Sequence, residues 1–204
     1  MRRSALLLSG VLMLGCAPVS RNITVFTPAP AQPAQSLPVP LLLAPIDAAP
    51  VYMGKDLLYR LSYADNQLHP YSNSRWSEPP ITLLASVLRQ AGGGNLLVLD
   101  QSPQLARCTL RIELATFEQV FTGAQNSHAE LGLHFSLIQL RNQRELRSSE
   151  LRFDVPAQTA DARGGAMALE KASHQAASQI IEWLNHSLAP TASGANPVRA
   201  ACER

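Results

Sequence analysis

The chain has 204 residues, a formal net charge of +2 at pH 7, 46% hydrophobic residues and three cysteines. This length suits one ordinary domain that is large enough to bury a core. The charge is close to zero and no basic stripe is present, which excludes the electrostatic footprint of a nucleic-acid-binding protein. The sequence therefore predicts a single folded domain without a nucleic-acid partner.

The first residues have the pattern of a bacterial export signal. Arg2 and Arg3 give a positive start, and residues 5–14 form an apolar run that is too short to span a bilayer. A glycine then precedes Cys16, as at the cleavage site of a bacterial lipoprotein. We expect residues 1–15 to be removed and Cys16 to be acylated, for example with palmitate, which would anchor the chain to a membrane. The alternative is an ordinary signal peptide that is cut elsewhere, with an incidental cysteine.

Ala17, rather than an aspartate, follows that cysteine. In lipoproteins this resembles sorting to the outer membrane, with the domain in the periplasm. The sequence divides into four predicted parts: a signal peptide at 1–15; a lipidated cysteine, short strand and Pro-rich linker at 16–40; an α+β domain at 41–190; and a flexible tail at 191–204.

Short elements alternate with turns in the first half of the predicted domain. Residues 41–46 form an apolar run that suits a buried strand, and residues 59–63 alternate like a strand with one apolar face. Residues 64–78 are rich in turn formers and predict a loop. A proline pair then starts a helix over 80–91, which glycines end. Residues 95–100 read as another apolar strand.

The strongest strand pattern comes in the second half. Residues 108–121, 129–137 and 151–155 alternate between apolar and polar side chains and are separated by short turns, which predicts an antiparallel meander. Residues 161–188 then carry an apolar stripe at helical spacing, with alanines in its first part. The predicted fold is α+β, with a mostly antiparallel sheet that includes a three-strand meander and is covered by two helices.

Two further cysteines, Cys108 and Cys202, remain if the first cysteine is acylated. In an oxidising compartment they can pair, which would stabilise the domain by about 4–5 kcal/mol in the chain-entropy model. One buried thiol and one thiol in a loose tail are the alternative arrangement.

The chain resembles the ABC-type transport auxiliary lipoprotein family, which includes the PqiC-like lipoproteins. Six segments carry the resemblance: Tyr59–Arg60, Tyr71–Trp76, Glu78–Pro80, the strand 108–121 with its Phe-Glu-Gln-Val-Phe end, Asp161 with Gly164 and Gly165, and the Ile-Ile-Glu-Trp-Leu sequence at 180–184. The resemblance covers most of the chain after residue 41.

The resemblance implies a lipid-anchored periplasmic subunit that docks a lipid transporter to the membrane. Its expected partners are an ABC permease and a mammalian-cell-entry (MCE) protein, and the chain can also assemble as a homo-oligomer through exposed sheet edges. No cofactor or metal is expected. A periplasmic lipoprotein that itself holds a lipid or another apolar ligand is the alternative function.

Tyr71, Arg75 and Trp76 are the candidate partner-binding residues, since Tyr, Arg and Trp are enriched at binding hot spots. Trp76 is also expected to fill the core beneath its segment, which leaves Tyr71 and Arg75 as the better interface candidates.

The sequence carries none of the common catalytic fingerprints. A nucleophile elbow, a His-Glu-x-x-His helix, a phosphate-binding loop and a dinucleotide fingerprint are all missing. The histidines are scattered, and His128 and His134 lie too far apart on one strand to bind one metal ion. A hydrolase with an unrecognised site is therefore the least favoured hypothesis, and we expect a protein without enzymatic activity.

Overall fold

The computed structural model describes residues 22–30, 36–98, 105–190 and 196–203. The predicted signal peptide, residues 1–15, and the predicted lipidation site Cys16 lie outside these ranges. So do the end of the predicted 95–100 strand and residues 191–195 of the predicted tail.

The described strands form one nine-stranded sheet. In chain order they are β1 (Thr24–Phe26), β2 (Leu41–Leu43), β3 (Asp47–Ala48), β4 (Asp56–Leu61), β5 (Leu68–Trp76), β6 (Leu96–Val98), β7 (Cys108–Gly123), β8 (Asn126–Gln139) and β9 (Arg144–Pro156). Strand β7 is the centre: β8 lies along its whole length on one side, while β2, β3 and β4 follow one another along the other side.

The predicted meander is confirmed, because β7, β8 and β9 pair antiparallel in sequence order. The expectation of a mostly antiparallel sheet is wrong. Among the strands that the structure describes, five of the eight pairings are parallel. Alternation of side chains reports which face of a strand is buried but not the direction of its neighbour, and that direction depends on the long connections between strands.

Strand β5 occupies most of the segment that the sequence predicts as a loop. The turn formers do make a turn between β4 and β5, but Leu68–Trp76 then pairs antiparallel with β4, and its last residues pair parallel with β1. Pro70 is tolerated because, among the described strands, β1 pairs only with Ser74–Trp76 on the other edge of β5 and does not reach the proline. A register shift between Asp56 and Leu58 absorbs the extra residues.

The described chain has three α-helices, α1 (Pro80–Gly92), α2 (Ala162–Leu188) and α3 (Pro197–Glu203). Helix α2 packs on β7, β8 and β9 and also contacts α1, so the two predicted helices do cover the sheet. Their shared face contributes much of the core, and the fully buried residues of α2 are Leu169, Ala172, Ala176, Ala177, Ile180, Leu184 and Leu188. The alanines let the helix axis approach the strands closely.

The segments expected as a linker and as a flexible tail both contain residues that pack against the domain. The Cys108–Cys202 disulfide is formed and joins the start of β7 to α3 across a sequence separation of 94 residues. Helix α3 lies within the segment expected as a flexible tail, and its Cys202 is 3% exposed. In the segment expected as a linker, Leu37 and Val39 are buried core residues. The packed domain therefore extends beyond 41–190 at both ends.

Candidate functional site

The structure brings together segments that are far apart in the sequence. Strand β4 places Tyr59 opposite Gln119 of β7 and Arg60 opposite Val120. Strand β5 lies on the other side of β4, and the start of α2 lies over the sheet at this point. Side chains from these elements form two clusters, one on each face of the sheet.

The first cluster, which we call the ion-pair cluster, consists of Tyr52, Arg60, Glu118 and Glu130. Arg60 donates through Nε to Glu118 Oε1 and through an Nη atom to Glu130 Oε2, each at 2.6 Å. The hydroxyl of Tyr52 donates to Glu118 Oε2 at 2.9 Å. Both carboxylate oxygens of Glu118 are thus paired, which allows this residue to be only 5% exposed.

The second cluster, which we call the tyrosine cluster, lies on the helix-covered face and consists of Tyr59, Tyr71, Gln119 and Phe121. Tyr71 donates its hydroxyl to Gln119 Oε1 at 2.8 Å, and the Gln119 amide donates to Ser127 Oγ at 2.7 Å. The Tyr59 ring lies 4.6 Å from the Tyr71 ring and 5.9 Å from the Phe121 ring. This arrangement combines aromatic packing with a satisfied buried amide.

The close fit of α2 against the sheet depends on two glycines. A Cβ at Gly165 would overlap the side chain of Gln119, and one at Gly164 would overlap the backbone oxygen of Thr159. Asp161 caps the helix, since its Oδ1 accepts from the Gly164 N–H at 2.8 Å. That hydrogen bond lowers the pKa of the Asp161 carboxyl, and a second one from the Thr159 hydroxyl lowers it further.

The electrostatics of the clusters favour fixed protonation states. Burial raises the pKa of Tyr52 and, at the other cluster, of Tyr71, so both phenols remain neutral hydrogen-bond donors. The hydrogen bond to Glu118 raises the pKa of Arg60, which keeps its charge. Neither cluster joins a nucleophile to a base, and the described chain holds no group of three His, Cys, Asp or Glu side chains placed to bind a metal ion. The hydrogen bonds of the clusters join β4 to β7 and β8, and β5 to β7.

The three predicted interface residues do not share one surface. Trp76 is 2% exposed and packs against Phe117 with ring centroids 5.6 Å apart, so it is a core residue. Tyr71 is half-buried in the tyrosine cluster on the same, helix-covered face. Arg75 is exposed, and alternation along β5 places it on the opposite face from Trp76. Only Arg75 among these three is fully available for a partner.

The importance of Glu118 and Gln119 was missed from the sequence, although a signal was present. Both lie inside the Phe-Glu-Gln-Val-Phe segment that carries the family resemblance. A glutamate that is buried within an apolar strand requires a positive partner, and Arg60 in the Tyr-Arg pair is such a residue. The sequence separation of 58 leaves no local pattern from which this contact could be predicted.

Among the helices of the described chain, none combines the length and the apolar character that a membrane span requires. A search of curated proteins gave no match.

Solved structures share the fold. A crystal structure of a Xanthomonas campestris protein of the DUF330 family matches with a TM-score of 0.67 and 20% identity, covering 80% of this chain and 95% of that one. A second, an uncharacterized protein, matches with a TM-score of 0.57 and 15% identity, covering 76% of this chain and 99% of that one. At these identities the likeness shows the fold alone.

The family model described as "ABC-type transport auxiliary lipoprotein component" matches residues 23–181. That range contains all nine strands, α1 and most of α2, and it includes both clusters described above. The family's description is of a transport component, in agreement with the resemblance noted in the sequence. The chain belongs to the ABC-type transport auxiliary lipoprotein family.

Proposed function

We propose that this protein is a lipid-anchored periplasmic subunit of an ABC- and MCE-type lipid transport system, which it docks to the outer membrane without enzymatic activity of its own. The observation that carries the proposal is the family match over residues 23–181, together with the lipoprotein-like start of the sequence. The ion-pair and tyrosine clusters support it, because they serve rigidity and hold no reactive group.

Acylation of Cys16 supplies the anchor. Two or more acyl chains hold a protein on a bilayer stably, since each buried methylene contributes about 0.8 kcal/mol. Ala17 after the cysteine supports the outer membrane as the destination. The domain then faces the periplasm, where an oxidising environment suits the Cys108–Cys202 disulfide.

Strand β9 is the best-suited surface for a protein partner. Among the described strands it pairs only with β8, so its other edge offers backbone donors and acceptors over Arg144–Pro156. Its side chains alternate in charge, with Arg147, Glu150 and Arg152 exposed. An added strand would gain backbone hydrogen bonds here and would need matching charges, so the edge can select either a second copy of this chain or a transporter subunit.

A second candidate function has one observation in its favour. A groove of about 460 Å³ lies between α2 and β9, and its lining includes Phe135, Leu151 and Trp183 together with the charged pair Arg147 and Glu182. The rings of Phe135 and Trp183 meet edge to face at 4.9 Å. Such an apolar lining could hold an amphiphile, but the open shape would leave most of a two-chain lipid in water. Stoichiometric phospholipid on the delipidated protein would favour this function.

The adaptor function is tested by purification from detergent-solubilised envelopes. A tagged wild-type chain, expressed at its native level, should co-purify an ABC permease and an MCE protein. The matched control is Cys16→Ala, which should leave the membrane fraction and lose palmitate incorporation, while the folded domain stays intact. Recovery of wild-type protein without any transporter component, at preserved acylation, would contradict the docking role.

A further inference from the structure

Four half-exposed apolar side chains lie near the start of the described chain: Ile23, Val25, Val51 and Met53, which we call the N-terminal patch. Their exposed fractions are between 45% and 51%. Ile23 and Val25 belong to the edge strand β1 and its approach, while Val51 and Met53 lie just before β4. None is covered by a neighbouring element in the described parts of the chain.

Backbone contacts bring the two halves of this patch together. Val25 lies opposite Arg75 of β5, and Arg75 lies opposite Asp56 at the start of β4. The N–H of Trp76 donates to the Lys55 oxygen at 2.8 Å, and the N–H of the following serine donates to the Phe26 oxygen at 2.8 Å. The segment that follows Met53 and the end of β1 are therefore both bonded to the end of β5 and the serine after it.

The patch lies on the sheet face that α1 and α2 do not cover. Phe26 and Trp76 point into the core, with ring centroids 6.4 Å apart, so Val25 and Arg75 point the other way. The short turn that carries Met53 lies over the same outer face, because its Tyr52 reaches Glu118 of the ion-pair cluster. Val25 thus faces outward on β1, while Val51 and Met53 are exposed on the turn that lies over the same face.

The length of the N-terminal connection limits what can cover this patch. Seven residue steps separate Cys16 from Ile23. A fully extended chain spans at most about 3.3–3.6 Å per residue, so Ile23 can lie no farther than ~25 Å from an acylated Cys16. The edge of the domain that carries Ile23 and Val25 is therefore held within that distance of the anchor.

We propose that the N-terminal patch rests on the membrane surface and fixes the orientation of the domain. The proposal builds on the acylation of Cys16 and adds a second, weaker membrane contact. Arg75 and Asp56 beside the patch balance each other in charge, so the contact depends on shallow apolar insertion rather than on anionic lipid. Four half-exposed side chains also present far less than the ~800 Å² per partner that a stable protein dimer buries.

Methionine oxidation offers a direct test, because the chain supplies its own matched control. Once residues 1–15 are removed, Met53 and Met167 are the two methionines that remain. They are 51% and 47% exposed, and Met167 lies on α2, away from the patch. A membrane-impermeant oxidant such as chloramine-T should therefore oxidise both at similar rates in the unlipidated protein in solution.

The acylated full-length protein is reconstituted in phosphatidylethanolamine–phosphatidylglycerol vesicles, and the two sulfoxide yields are followed by peptide mass spectrometry. We expect Met53 oxidation to slow severalfold on vesicles while Met167 is unchanged. The surface variant Val25→Glu should restore Met53 oxidation, and Leu105→Glu, at an exposed site elsewhere, should not. If Met53 oxidises at the same rate with and without vesicles, in acylated protein that co-floats with the vesicles, the patch does not contact the membrane. The lipid anchor would be unaffected by that result.

Two other outcomes also count against the inference. Protection of Met53 in the unlipidated protein that grows with protein concentration would assign the patch to self-association. A purified chain that neither floats with vesicles nor carries acyl chains would remove the anchor, and with it the reason for placing this patch at a bilayer.

Discussion

Replacement of Arg60 by methionine is the sharpest test of the ion-pair cluster. Arg60→Met keeps the aliphatic stem but removes three hydrogen bonds, to Glu118 and Glu130 at 2.6 Å and to Asn66 at 2.8 Å. The carboxylate of Glu118, with 6% of its side chain exposed, would then keep only the hydroxyl of Tyr52. A buried carboxylate without its cation is strongly unfavourable.

The expected loss follows from the burial of each partner. Removing one member of a buried ion pair costs about 3–5 kcal/mol, and we expect ~3 here because 24% of the Arg60 side chain is exposed and water can enter its place. The pair with Glu130 is more exposed, at 32% for the glutamate, so Glu130→Gln should cost below ~1 kcal/mol. Glu118→Gln should fall between these values.

Urea unfolding followed by circular dichroism measures these free energies. The double variant with Arg60→Met and Glu118→Gln removes both charges together, so it should be less destabilised than the sum of the single variants by ~1.5 kcal/mol or more. Glu130→Gln serves as the control for a partly exposed charge. If the sum of the two single-variant losses equals the loss of the double variant to within ~0.5 kcal/mol, Arg60 does not compensate the buried glutamate and this reasoning is refuted.

Three further predictions concern the joints of the fold. Replacing Cys108 and Cys202 together by alanine should lower the unfolding free energy by up to about 4–5 kcal/mol, measured against the wild type under non-reducing conditions; an unchanged value would show that the bond adds nothing. Gly165→Ala should destabilise by ~2 kcal/mol in thermal unfolding, and should become nearly harmless beside Gln119→Ala, which removes the overlapping side chain. Asp161→Ala should cost ~1 kcal/mol at pH 7. The folded-state pKa of Asp161 is lowered from 3.8, so the stability that its charge adds over Asp161→Ala is present above pH 3.8 and is lost as the pH falls through the folded-state pKa. A stability difference that persists in strong acid would contradict the cap.

Local patterns in the sequence were sufficient for the elements whose neighbours follow directly in the chain. The alternation over 108–121, 129–137 and 151–155 predicted β7, β8 and β9, because short turns force consecutive strands to pair. The proline pair before α1 and the apolar stripe of α2 likewise marked the two covering helices. The disulfide between Cys108 and Cys202 was one of two arrangements that the sequence allowed, and the structure contains it.

Features that depend on distant contacts could not be predicted in the same way. Leu68–Trp76 has the composition of a loop, and it becomes a strand because β4 and β1 supply hydrogen-bond partners on its two sides. The parallel pairing of β2, β3 and β4 with β7 depends on the long connections between them. Regular alternation would place Tyr71 and Arg75 on the same face of β5. The register shift between β4 and β5 places them on opposite faces, and the sequence does not reveal that shift.

The mass of the mature protein isolated from bacterial envelopes tests the central claim most directly. We expect a chain that begins at Cys16, carries a thioether-linked diacylglycerol together with an amide-linked acyl chain, and is recovered with the outer membrane. An unmodified chain in the soluble fraction, whatever its first residue, would contradict the lipid-anchored adaptor.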